Sequence, residues 1–172
     1  MAFLKSLDLG GTYQRELEEC LEILEFLGER EKAATRLIRK MSEESEEANL
    51  LMTIPGIGYH HALLILAEMG EVGRFAEGTK YAGYCGLVPS VHISESTVRY
   101  GQMTQRGNRW LRWTYVEAAH IARRKSVRLA RLYGRVSAKK GPQVAVGAVA
   151  RELAVISFYV LKNRQPFKDR QW

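Results

Sequence analysis

Along the first third of the chain the apolar positions alternate spacings of three and four. Leu17, Cys20, Leu24, Leu27, Glu31, Ala34, Ile38 and Met41 follow this rhythm, with Glu31 its one charged member. That is the a/d seam of a coiled coil. Leu21, Ile23, Phe26 and Leu37 widen the stripe. Between Thr12 and Asn49 there is no Pro and the single Gly is Gly28, so the pattern predicts one long helix ended by Pro55. Such a helix either folds back on its own domain or pairs with another chain or a missing domain, and the spacing admits each. Beyond it, His61, Leu63, Leu64, Leu66, Ala67 and Met69 predict a second helix. Thr79 is placed to cap a short helix reaching Tyr84. Val91, Ile93 and Val98 suggest short β character in a Ser/Thr-rich stretch from Ser90 to Gly107, with no large sheet.

Helical periodicity then returns. Asn108 is a plausible N-cap for a helix whose apolar face is Leu111, Tyr115, Ala118, Ala119 and Ala122. Another helix starts near Ser126 and ends at Lys139-Lys140-Gly141-Pro142; a last one, from about Gln143 to Lys162, is apolar nearly all round and belongs in a core or a dimer. The fold class expected is mainly α: a long coiled-coil-like N-terminal helix (1–49), then a compact helical domain (50–172) with a short β or loop insertion.

Charge changes this picture. Net charge is −5 over Met1–Leu50, −2 over Leu51–Val98 and +14 over Arg99–Trp172. A basic half this lopsided is a footprint for a polyanion, most simply nucleic acid. Ile54-Pro55-Gly56-Ile57-Gly58 before an aliphatic helix is the pattern of a helix-hairpin-helix element. Its turn amides, at Gly56 and Gly58, can receive a phosphate without reading bases. An ordinary tight turn between helices has the same letters.

Other chemistries are thinly represented. Cys20 and Cys85 fit no metal spacing, and with no secretory signal they read as reduced thiols of a cytoplasmic protein. Val144–Leu161 is interrupted by Arg151 and Glu152, which argues against a membrane span. His60, His61, His92 and His120 form no metal motif. Glu117, Glu152 and Asp169 are the acids after Val98, too few and too scattered for two-metal nuclease chemistry. Ser94 and Ser96 could attack a phosphodiester if guanidinium groups from Arg99, Arg106, Arg109 and Arg112 stabilised the phosphorane. On residue chemistry alone a plain loop serine is the commoner reading. His92, two residues from Ser94, is a proton shuttle or a simple loop histidine.

Taken in order, L-x-x-I-P-G-I-G (51–58), R-F-A (74–76), Y-x-G-L-V-P (84–89), the serine loop and G-Q-M-T-Q-R-G-N-R-W-L-R (101–112) resemble one family. It is the C-terminal transposase domain of the Piv/MooV-type insertion-sequence transposases, the bridge-RNA-guided DEDD recombinases. The resemblance spans roughly Leu50–Phe167, and the helix before it resembles the family's coiled-coil connector. It implies a serine nucleophile in the loop after G-L-x-P, within S-S-G. Here Ser94 takes the second serine's place, Glu95 stands where the glycine would, and Ser96 is the alternative. The family's G-x-I-[ST]-[KR]-x-G-[ND] becomes Gly101–Asn108, with Gln105 for the basic residue and Arg106 one step later. DNA contacts are therefore expected at Gly56, Gly58, Arg99, Thr104, Arg106, Asn108, Arg109 and Arg112.

The resemblance further implies an N-terminal RNase-H-like domain whose acidic residues bind a divalent metal, and a guide RNA for the full-length protein. This chain is expected to be the C-terminal part, to need no cofactor of its own, to bind DNA and self-associate through its N-terminal helix, and to lack recombination by itself. The competing readings are a non-enzymatic helix-hairpin-helix DNA-binding protein and a dimeric interaction module.

Overall fold

The structure is a computed structural model that describes residues 2–94, 97–103 and 106–169 and, between 90 and 103, the backbone alone. The chain divides into two compact units, 1–40 and 41–172.

In the first unit a short helix, α1 (Ala2–Lys5), precedes α2 (Gly11–Glu44), whose last turn belongs to the second unit. Ile23, Leu24, Phe26, Leu27 and Leu37 of α2 are all more than half exposed. The helix that the pattern carries to Pro55 in fact breaks at Ser45. That residue takes an extended backbone (φ −98°, ψ 118°) and its side chain accepts from the Ala48 amide. Glu46 and Glu47 follow in the first turn of α3 (Glu46–Met52), where carboxylates favour a new helix start. A strong cap placed inside a periodic stretch outweighs the periodicity.

The second unit is a helical bundle. After α3 come α4 (Tyr59–Met69), a 3-10 turn at Val72–Arg74, α5 (Gly78–Tyr84), strands β1 (Pro89–Ser94) and β2 (Thr97–Met103), and α6 (Arg109–Lys125), α7 (Val127–Lys140) and α8 (Pro142–Asn163). Helix α8 is the central rod. Ala145, Val149, Ala150, Leu153, Ala154, Phe158 and Leu161 are buried along it, packed among α5, α6 and α7. It is long and apolar enough to cross a bilayer by length and composition, yet most of it lies inside the bundle. Tyr81 and Tyr115 share a hydrogen bond of 3.0 Å between hydroxyls in the core, so neither buried oxygen is left unpaired. Phe75 docks at the edge, 5.1 Å from the Tyr81 ring and 5.3 Å from Tyr84. Thr79 does not cap α5: Glu77 is the N-cap residue, and the Thr79 hydroxyl donates to the Glu77 carboxylate.

Beyond α8 the chain turns at Arg164, in left-handed conformation (φ 49°), and becomes a strap. The Phe167 amide donates to Thr53 Oγ1 at 2.8 Å. Asp169 closes the strap on the start of α7, accepting from Ser126 Oγ and the Val127 amide, both at 3.0 Å. A carboxylate at a helix N-terminus is favourably placed.

Candidate nucleic-acid interface

Strands β1 and β2 form one antiparallel hairpin, with Val91 opposite Tyr100, His92 opposite Arg99, Ile93 opposite Val98 and Ser94 opposite Thr97. Opposed residues share a face and alternate positions along a strand share it too. The register therefore sets His92, Ser94, Thr97 and Arg99 on one face of the ribbon, and Val91, Ile93, Val98 and Tyr100 on the other. Ser94 ends its strand at the tip. The six residues of β1 make five steps from the base at Pro89 to the tip at Ser94, about 17 Å at roughly 3.4 Å per step. Among the described residues the strands pack extensively only on each other.

The base of the ribbon is pinned by two glycines. Gly86 (φ +69°) and Gly107 (φ +122°) both need the left-handed half of backbone space. A Cβ on Gly107 would stand 2.6 Å from the Gly86 nitrogen and 2.9 Å from the Tyr84 carbonyl oxygen. The Asn108 amide donates to that same carbonyl at 2.8 Å. Asn108 then caps α6 as expected: its Oδ1 accepts from the Trp110 and Leu111 amides at 2.9 and 3.1 Å. Its Nδ2 donates to Glu68 Oε2 at 2.5 Å. Both ends of this side chain are thus engaged within the fold. Arg112 Nη2 donates to the Arg106 carbonyl at 3.4 Å, across the same junction.

The structure therefore separates the residues that the sequence grouped around Ser94. Arg99 lies across the ladder on the serine's face, opposite His92. Arg106, Arg109 and Arg112 belong to the base. Ser96 and Thr104 lie outside the described residues, as do Glu95 and Gln105.

The second glycine turn joins α3 to α4. Gly56 (φ +92°) is partly buried, and a Cβ on it would collide with the Ala118 carbonyl oxygen of α6. Its absent side chain lets two helices approach. Gly58 is different: it is exposed, has φ −100°, and has open space where a Cβ would be. It is the N-cap of α4 and supplies no side-chain cap, so the first-turn amides of α4 have no side-chain acceptor from that residue.

His61, in that first turn, reaches across to α6. Its Nδ1 is 3.4 Å from the Gly56 carbonyl oxygen and its ring meets Trp113 edge-on at 5.6 Å. Burial lowers its pKa below the usual value, a larger influence than the Gly56 carbonyl, which raises it. Trp110 and Trp113 are 51% and 45% exposed. The Arg109 guanidinium lies 5.3 Å from the centre of the Trp110 ring. Sequence reasoning passed over this cluster. The available signal was two tryptophans at i and i+3, off the apolar face traced by Leu111, Tyr115 and Ala118. Cations continue along the surface of α6 and α7: Arg124, Lys125, Arg128, Arg131, Arg135, Lys139 and Lys140 are exposed. Of these, Arg128 is paired with Glu152 and Arg124 Nε donates to the His120 carbonyl.

The described residues do not fit a divalent metal. No group of three or more His, Cys, Asp or Glu gathers among them. Glu152 is held by Arg128 and Asp169 caps α7. Cys85 is a buried thiol pushed up to about 12 by desolvation, a poor ligand or nucleophile.

The helical bundle, its basic surface and the ribbon that ends at Ser94 have a place in a known family. The model of the transposase IS116/IS110/IS902 family matches residues 48–134, just over half of the chain. The chain belongs to that family. Relatives include the transposase for insertion sequence element IS1111A of Coxiella burnetii, 26% identical over 139 residues that cover 76% of this chain and 37% of the relative. A probable family 20 transposase of Pseudomonas aeruginosa is 27% identical over 163 residues, covering 92% and 47%. The pilin gene-inverting protein of Moraxella bovis is 28% identical over 138 residues, covering 78% and 43%. The chain spans less than half the length of these curated relatives.

Proposed function

We propose that this chain is the C-terminal, DNA-binding and serine-bearing part of a Piv/MooV-type DEDD transposase or site-specific recombinase. The observation that carries the reading is the ribbon itself: Ser94 at the tip, His92 and Arg99 on its face, and a glycine-locked base continuous with basic α6 and α7. DNA phosphates engage Arg109 and the cations of α7, and the helix-hairpin-helix turn adds the open first-turn amides beyond Gly58. Holding duplex at the base leaves the ribbon to carry the serine to a scissile phosphate.

In that reaction the Ser94 hydroxyl oxygen attacks phosphorus, its proton leaves to a base, and the 3′ or 5′ oxygen of the broken strand departs. In this reading His92 takes the proton and Arg99 stabilises the phosphorane charge. The divalent metal of this family's chemistry is assigned to the acidic RNase-H-like domain of the full-length protein, and the guide RNA to that same assembly. The isolated chain binds DNA and does not recombine it. Self-association runs through α2, whose Leu24 and Leu27 are 51% and 55% exposed; Leu24→Glu with Leu27→Glu should lower the mass measured by light scattering.

The decisive experiment uses the full-length protein with its guide RNA and substrate DNA. A covalent protein–DNA adduct is expected, abolished by Ser94→Ala and retained by Ser96→Ala. The reverse pattern would move the nucleophile to Ser96. An adduct that survives both changes would leave the ribbon structural and favour the non-enzymatic helix-hairpin-helix reading. For the chain alone, duplex affinity should drop steeply between about 50 and 200 mM salt, as when several phosphates are neutralised.

A further inference from the structure

On the surface where α4 begins against α6, Trp113 meets His61 and Trp110 lies under Arg109, and a duplex-phosphate site, which uses Arg109, needs neither indole. Two indoles left about half exposed are unusual for a surface helix, because each forgoes a large apolar burial. They stand at i and i+3, hence side by side on one stripe with Cβ atoms about 5–6 Å apart. The stripe is also braced. His61 meets the Trp113 ring edge-on at an interplanar angle of 82°, and Arg109 lies over Trp110. The first turn of α4, whose exposed N-cap Gly58 offers its amides no side-chain acceptor, is next to Trp113 through His61.

From this arrangement we infer that the cluster is a stacking platform for unpaired nucleotides. The indole faces take successive bases, while Arg109 and the α4 amides hold the phosphates between them. The basic surroundings decide the occupant. An apolar protein partner would gain from the tryptophans and bury Arg109 without an anion, whereas a single strand brings a π-face and a phosphate at every step. Paired bases cannot use the platform, because their faces are covered by neighbours in the stack. The inference rests on the nucleic-acid reading above and adds a second ligand class to it: single-stranded DNA or an RNA loop, which share this chemistry.

The test is binding of the whole chain to labelled oligo(dT), oligo(U) and a GC-rich duplex, with folding checked by circular dichroism. Trp110→Ala and Trp113→Ala should each weaken single-strand binding about ten-fold, the scale of one lost base stack. Trp113→Phe, which keeps a π-face, should retain most of it, and duplex affinity should stay within about two-fold. In a Trp172→Phe background, oligo(dT) should quench tryptophan emission and the duplex should not. Losses confined to oligo(dT) or to oligo(U) name the natural source, and either supports the platform. Equal weakening of duplex and single strand would overturn it, as would unchanged single-strand binding. A fall in oligomer mass on Trp→Ala would overturn it in favour of a protein interface. Duplex binding without any of the single-strand effects overturns this inference alone; no binding to any of the three probes overturns the nucleic-acid reading with it.

Discussion

Helices α4 and α6 start from similar letters, Gly-Ile-Gly and Gly-Asn-Arg, and the two starts are built in opposite ways. At α6 the start is closed. Gly107 touches the Gly86 backbone, and Asn108 spends its oxygen on two amides and its nitrogen on Glu68. At α4 the start is open: Gly58 is exposed and uncapped, while Gly56, two residues earlier, takes the packing role against Ala118. The lesson is that motif residues divide between making a site possible and touching a ligand. Gly56, Gly107 and Asn108 hold the fold together, whereas Gly58, Arg109 and the cations of α7 lie on its surface.

The largest expected effect breaks the comparison at its glycines. Gly56→Ala and Gly107→Ala each force an L side chain into positive φ and into neighbouring backbone, and each should cost about 3 kcal/mol or more. For a chain of this size that lowers Tm by roughly 6–12 °C, read by thermal melting. Gly58→Ala meets open space at ordinary φ and should cost under about 1 kcal/mol. Equal damage at Gly56 and Gly58 would show that the two positions are not distinct.

Next in size is Asn108→Ala. It removes a cap and leaves Glu68 without its partner, for an expected loss of about 1–2 kcal/mol in denaturant unfolding. Closing the open start is the converse experiment. Gly58→Asp supplies a cap and a favourable charge, so stability should rise by about 0.5–1 kcal/mol while duplex affinity falls several-fold. Unchanged binding would remove the α4 amides from the interface.

The smallest effect is a pH dependence at the joint between the two starts. Burial depresses the His61 pKa in the folded chain, so the unfolded chain binds more protons as pH falls. Stability therefore decreases as pH drops through the unfolded value near 6.5, and the loss is complete below the folded value. Tm measured from pH 7.5 down to about 5 should show this component, and His61→Gln should lack it. A component of opposite sign would mean that the Gly56 carbonyl outweighs burial.

Much of the helical domain was legible from local pattern. Helices α6, α7 and α8 begin and end within a residue or two of where caps, periodicity and Gly141-Pro142 place them, with Asn108 and Ser126 as caps. The membership in a transposase family was legible too, because several short motifs stand in order. The break of the first helix at Ser45 was not, nor the cap of α5. At Ser45 one side-chain hydrogen bond, from the Ala48 amide, chooses between conformations that the apolar spacing leaves equal; at α5 the helix starts from Glu77 with no side-chain cap bond at all.

By itself, then, the sequence determined the mainly helical class, the charge polarity and the family. These depend on residues near one another in the chain or on composition. Tertiary structure decided which glycines pack, that α8 lies inside a bundle, that Ser94 sits a ribbon's length from Arg109 and Arg112, and that Trp113 meets His61. Those facts join positions such as 56 with 118, 68 with 108, 86 with 107 and 126 with 169. No period of 3.6 or 2 residues encodes such pairings, because they follow from how whole elements fill a common core.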